Sequence, residues 1–213
     1  DFLSRARKIL VEVEELNDLA RSTERPLVGR LRMGIIPTIA PYLLTDIIKG
    51  LSARMPALEL HPRETVTRSL IADLLDSRLD AAIVALPISE PPLQEFELFQ
   101  EDFVLVRPLS ETEKPVPSPK KLKEMRLLLL EEGHCFRDQA LSFCQMTGDQ
   151  PRNIMEGSSL STLVQMVVAG MGVTLIPEMA LPFETGFAQV SLARFAAPCP
   201  ARTIGLVWSK TTP

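Results

Sequence analysis

Short apolar runs alternate with longer amphipathic ones along this chain, and few folds satisfy that order. From residue 29, "GRLRMGII", "ALELHPRE" and "LDAAIVAL" have strand length and strand composition. Between them lie "APYLLTDIIKGLSARM" and "RSLIADLLDSR", whose apolar positions recur with helical spacing. This alternation predicts a parallel sheet with right-handed crossovers. After the loop "PISEPPLQE" and the strand "DFVLVRP" the cycle restarts. "ETEKPVPSPKKLKEM" reads as a Pro-rich loop and helix start, "RLLLLEE" as a strand, and "RDQALSFCQMTG" as a helix. "RNIMEG" is a strand, "SLSTLVQMVVAGMG" a helix closed by Gly170 and Gly172, and "VTLIPE" and "ARTIGLVWSK" are strands. Two α/β modules are expected, with a break near residues 104 to 108. The last strand is expected to cross back into the first module.

The N-terminal stretch follows another rule. Phe2, Ala6, Ile9, Val13, Leu16 and Ala20 recur at alternating spacings of four and three, a heptad seam among charged residues. Such a helix either docks on its own domain or pairs with a partner chain. Pairing is favoured, because "STERPLVGR" reads as a linker after Pro26 ends the helix. The chain starts without Met and in mid-helix, so it is expected to be a piece of a longer protein. Net charge is −4 and the basic residues are scattered, which argues against this chain itself gripping nucleic acid. No apolar run has the length of a membrane span, and the N-terminus lacks the pattern of a secretory signal. A cytoplasmic location and no membrane partner are therefore expected.

The stretch "EEGHCFRDQALSFC" concentrates the chemistry. With residues 137 to 146 on a helix, Asp138 falls in the first turn, where a carboxylate suits the positive end of the dipole. Gly133 and His134 then form the strand-to-helix turn and Cys135 lies at the helix N-terminus. A thiol there faces unpaired N–H groups that favour its anion, and His134 and Arg137 add positive charge. Cys144, after Ala140, Leu141 and Phe143, is expected in packed, inert surroundings. Nine helical residues rise by roughly 13 Å, whereas a disulfide needs Cα atoms within about 7 Å. The two thiols can meet only if the segment unwinds. Two readings stay open: both are core residues close in sequence, or the mismatch is a redox switch in which disulfide formation melts the helix.

The segment "GHCFRDQALSFC" resembles the redox segment of the OxyR family, the peroxide sensors among the LysR-type transcription regulators. "GRLRMGIIPTIAPYLL", "ETVTRSLIADLLDSRLDAAIVAL", "SSLSTLVQMVVAGMGVTLIP" and "RTIGLVW" resemble further blocks of that regulatory domain, in the same order, from about residue 29 onward. The "GHC…DQA…FC" block is specific to the peroxide sensors, and the "VTLIP" block marks the wider family. The resemblance implies two Rossmann-like α/β subdomains in a periplasmic-binding-protein-like (type 2) fold, joined by two crossover strands. It assigns 1–27 to the end of a linker and dimerisation helix, 28–103 with 205–213 to subdomain I, and 104–204 to subdomain II. The winged helix-turn-helix of the family is then absent from this chain. Cys135 is implied as the peroxidatic thiol and Cys144 as the resolving one. Thr38, Thr67, His134 and Arg202 are implied around Cys135, with Asp138 in the same helix turn. Implied partners are hydrogen peroxide, further copies of the chain in a homodimer or homotetramer, DNA through the missing domain, RNA polymerase, and a thiol reductant that resets the switch. No cofactor, no metal and no enzymatic turnover are expected.

Plainer roles compete with these. Thr38 and Thr67 have the position of helix N-caps, Ser158 and Ser159 likewise, and Arg202 reads as a surface residue. His134 can simply hydrogen-bond at the turn. Cys199 sits between two prolines as a loop residue, and His61 lies on a strand with no zinc spacing. Arg68 follows Thr67 where the family has another polar residue, and it alters the charge near that position. Competing functions are a LysR-type domain binding a small metabolite in the inter-subdomain cleft, a thiol peroxidase, and a periplasmic solute-binding protein. The paired cysteines speak against the first. The second lacks a reductase-docking motif, and the third lacks a signal peptide and any need for heptads.

Overall fold

The computed structural model describes residues 29–144 and 154–210. The expected heptad helix lies outside the described residues, and of the expected linker only Gly29 and Arg30 are described, at the start of the first strand. The chain divides into two compact units, one reaching to Leu98 and resuming at Gly205, the other spanning Phe99–Ile204.

In the first unit, β1 (Gly29–Ile35), α1 (Ala40–Arg54), β2 (Leu58–Glu64), α2 (Thr67–Leu75) and β3 (Ala81–Leu86) follow the order expected from the sequence. β1 pairs in parallel with β2 on one side, from Gly29↔Leu58 to Ile35↔Glu64, and with β3 on the other. Its central position explains its buried run Met33, Gly34, Ile35. A Cβ at Gly34 would meet Leu70 Cδ2 at 2.6 Å, so glycine lets α2 pack closely on this strand. The α2–β3 turn is tied by buried Asp73. Its carboxylate pairs with Arg78 at 2.7 Å and Arg63 at 3.1 Å, while its carbonyl accepts the Arg78 and Leu79 N–H groups.

Two strands, β4 (Leu93–Pro108) and β9 (Ala201–Ser209), pass from one unit into the other. β4 starts nine residues before the expected Asp102. Only Leu93 and Glu101 are buried over that first half, so no buried apolar run marks it in the sequence.

In the second unit the strand pairs are not all parallel. Phe103–Val106 of β4 run antiparallel to β7 (Thr174–Pro177), and Val104–Pro108 run antiparallel to β8 (Val190–Arg194). β5 (Leu127–Leu130) and β6 (Ile154–Gly157) pair in parallel. β8 was not expected; its five residues "VSLAR" carry only two fully buried positions. α5 (Leu160–Val168) buries Leu160, Leu163, Val164 and Val167, one stripe of a helix, and Ser159 caps it by accepting from Thr162 N at 3.1 Å. Short helices α3 (Pro119–Glu124), capped by Ser118, and α6 (Leu181–Glu184) complete the unit. Buried Arg107 holds the loop after β4 by donating to the Thr112 and Lys114 carbonyls at 2.9 and 2.8 Å.

Candidate functional site

β5 is four leucines, all buried, and the chain must reverse where it ends. Gly133 makes that turn at φ +96°, a left-handed conformation that favours glycine. His134 is extended at the N-cap, and α4 runs from Cys135 to Phe143. Cys144 is the C-cap, its N–H bonded to the Ala140 and Ser142 carbonyls. The helix therefore starts two residues earlier than the sequence suggested, and Cys144 ends it instead of lying inside it. Burial gives the reason. Phe136, Arg137, Ala140 and Cys144 are the buried positions, and a helix opening at Cys135 places them toward the core.

Two of these buried side chains, Phe136 and Arg137, have specific partners. The Phe136 ring meets Phe103 edge-on at 4.9 Å, and the Arg202 guanidinium lies over it at 5.4 Å. Arg137 donates to the Leu130 carbonyl at 2.9 Å and pairs with Glu156 at 2.7 Å. Arg202 is a core residue, 3 % exposed, which overturns its reading as a surface side chain. Its Nε and Nη2 both reach Glu101 Oε2 at 2.8 Å, and Glu101 Oε1 accepts the Met179 N–H at 2.8 Å.

The two thiols have different settings. Cys135 is half-buried, Cys144 is 1 % exposed, and both are free, as is Cys199. Burial pushes the Cys144 thiol up to about 11, so it is protonated at neutral pH. Burial also lowers the His134 pKa, with Glu131 opposing. His134 is therefore neutral at neutral pH, and Arg137 is committed to Glu156. His134 thus does not supply the expected positive charge beside Cys135 at neutral pH. Asp138 is exposed in the first turn of α4 and borders a cavity of about 430 Å³ between Gln139, Ser142 and Phe143 of the helix and Phe103 and Ala201 of the strands.

Thr38 and Thr67 belong to the first unit. Neither is a cap: Ile39 and Val66 hold the N-cap positions of α1 and α2, and no side chain caps either helix. Thr38 is buried. The Thr67 hydroxyl is buried with no hydrogen-bond partner, an unusual state for such a group. Arg68 is exposed, and His61 lies 2.9 Å from Glu59. Cys199 is a loop thiol near the Phe103 and Pro200 carbonyls, its pKa raised by partial burial and by Asp102. Among the described residues, no cluster of His, Cys, Asp and Glu could hold a metal ion. No helix among them is long and apolar enough to cross a membrane. Sequence reasoning missed Glu101, Phe136 and Glu156. The one available signal was a charged residue flanking each of two apolar strand runs, Glu101 before "FVLV" and Arg202 before "TIGLV".

Residues 24–213 match the family model of the LysR substrate binding domain, and the chain belongs to that family. Among its relatives, a probable hydrogen peroxide-inducible genes activator from Mycobacterium leprae is 40% identical over 97% of this chain and 68% of its own length. A peroxide-bound cysteine-to-serine mutant of OxyR from Corynebacterium glutamicum superposes with a TM-score of 0.84 at 34% identity, covering 97% of this chain and 66% of that one. The reduced OxyR regulatory domain of Pseudomonas aeruginosa superposes at 0.77 with 36% identity, covering 88% and 89%. The chain thus spans about two thirds of the length of the first two. The periplasmic-binding-protein-like fold with two crossover strands, implied by the resemblance, is what these likenesses show.

Proposed function

We propose that this chain is the regulatory domain of a hydrogen-peroxide-sensing LysR-type transcription factor. One observation carries the reading: two free thiols stand at the two ends of a single helix, Cys135 at its first position and Cys144 at its C-cap. The Cys135 thiolate attacks one peroxide oxygen. The O–O bond breaks, sulfur becomes a sulfenic acid, and the departing hydroxide takes up a proton to leave as water. The Cys144 sulfur then attacks Cys135 and displaces a second water, and a disulfide remains. Two electrons pass from the thiol pair to the peroxide, and a thiol reductant returns them.

The hydroxyls of Thr38 and Thr67 hold the peroxide oxygens in this reading, and the partnerless hydroxyl of Thr67 supports it. Arg202 stabilises the departing hydroxide, neutral His134 serves as a hydrogen-bonding group, and Asp138 faces the dipole of α4. Because the helix spans roughly 13 Å, the disulfide refolds it and alters oligomer packing. The two units, the first ending at Leu98 and resuming at Gly205 and the second spanning Phe99–Ile204, act as the regulatory subdomains. The change passes to a DNA-binding domain elsewhere in the protein, and through it to RNA polymerase.

The test is mass spectrometry of tryptic peptides after micromolar peroxide. A near-stoichiometric Cys135–Cys144 crosslink is expected in the wild type and none in Cys135→Ser, while Cys144→Ser accumulates a sulfenic acid that dimedone labels. If both thiols stay alkylatable after peroxide, the redox reading falls and a metabolite-binding regulatory domain replaces it.

A further inference from the structure

We propose that Glu101 is a positioning residue for the oxidation of Cys135, acting through Arg202; this rests on the peroxide-sensing reading above. The carboxylate is 7 % exposed and has its partners fixed from two directions. Oε1 is held by the Met179 N–H at 2.8 Å, which ties it to the turn after β7. Oε2 receives both Nε and Nη2 of Arg202 at 2.8 Å. Two donors of the guanidinium converging on one oxygen hold that edge in place. The guanidinium lies over Phe136, 5.4 Å from the ring centroid, and Phe136 directly follows Cys135 in α4. A chain of rigid contacts thus runs from the backbone at Met179, through Glu101 and Arg202, to the first turn of the helix that carries the thiol.

A buried arginine has a long side chain with many rotamers, and its position decides whether it can stabilise charge on a departing oxygen. A lone structural role predicts something else. A pair that only closes the core would, when weakened, loosen the packing around α4 as a whole.

Glu101→Asp separates the two. It keeps the charge and shortens the reach by one methylene, so Arg202 is not left beside an uncharged partner. On the 213-residue chain, two reactions of Cys135 are timed, with hydrogen peroxide and with iodoacetamide. Both consume the thiolate, but only peroxide needs a stabilised oxygen leaving group. The expected result is a fall in the peroxide rate by about one order of magnitude or more. The iodoacetamide rate stays at the wild-type value, and Cys144 stays protected from alkylation. Glu101→Gln, if it folds, lowers the peroxide rate selectively as well, because an amide oxygen holds the guanidinium less tightly. A peroxide rate within twofold of wild type in Glu101→Asp overturns the proposal. So does a parallel change of both rates, or newly reactive Cys144, either of which marks a structural pair. A wild-type chain that forms no sulfenic acid at all would instead sink the peroxide-sensing reading itself.

Discussion

The surroundings of Cys144 change its chemistry. Its folded-state pKa is raised, so burial of the neutral thiol contributes stability that is fully present below the ordinary value of 9.0 and is lost as the pH rises toward about 11. Alkylation of Cys144 is therefore expected to be negligible at pH 7.5 and to accelerate steeply above pH 9. A flat rate ratio between Cys144 and Cys135 across that range would show that the second thiol is not buried in solution. His134 has the opposite sign. Its lowered pKa means that its neutral form supports the fold above about pH 6.5, and that support is lost on acidification. The alkylation protection of Cys144 should accordingly be broadest near neutrality.

At the scale of the element, α4 is nine residues long and held by few anchors. Arg137 is the most committed of them, bridging β5 and β6 through the Leu130 carbonyl and Glu156. Arg137→Ala leaves that carbonyl without its donor and is expected to cost about 2–3 kcal/mol. The readouts are a lower urea midpoint and faster alkylation of Cys144. In the proposed mechanism it also speeds disulfide formation once Cys135 is oxidised, because less structure must be undone. An unchanged resolution rate with lowered stability would separate the anchor from the switch. Of this element, the sequence made legible both thiols and their opposite environments. It did not show where the helix begins, because the helical turn at Cys135 is settled by Phe136 finding Phe103 in a distant strand.

For the whole molecule, the alternation of strand and helix was legible in the first unit, where β1 and β3 carry buried apolar runs and two amphipathic helices separate the strands. It was less so in the second. The first half of β4 and all of β8 lack a buried run, and no local pattern reveals them. The Glu101–Arg202 pair joins residues 101 positions apart, so only the path of β4 and β9 brings them together. Those two strands also bear the tightest close approach in the first unit. A Cβ at Gly205 would collide with the Leu86 side chain and lie 2.8 Å from the Phe96 carbonyl oxygen. Gly205→Ala is expected to destabilise the chain by about 1–3 kcal/mol. Hydrogen exchange should locate the loss in β3, the first half of β4 and the end of β9. Uniform loss across Phe99–Ile204 would contradict that assignment.

The burial of Cys144 has a consequence for timing. In the proposed mechanism, the Cys144 sulfur is sealed in the core, so a sulfenic acid on Cys135 waits for a thermal opening of α4 before it can be captured. That wait works as a filter. A brief pulse of oxidant whose product is reduced within the opening time leaves no lasting mark, whereas sustained exposure is recorded as a disulfide. The same delay sets an upper limit, since a waiting sulfenic acid that meets a second peroxide goes on to the sulfinic state. The helix is thus expected to define a dose window, with disulfide yield rising and then falling as peroxide increases. A tighter helix should shift the decline to lower doses.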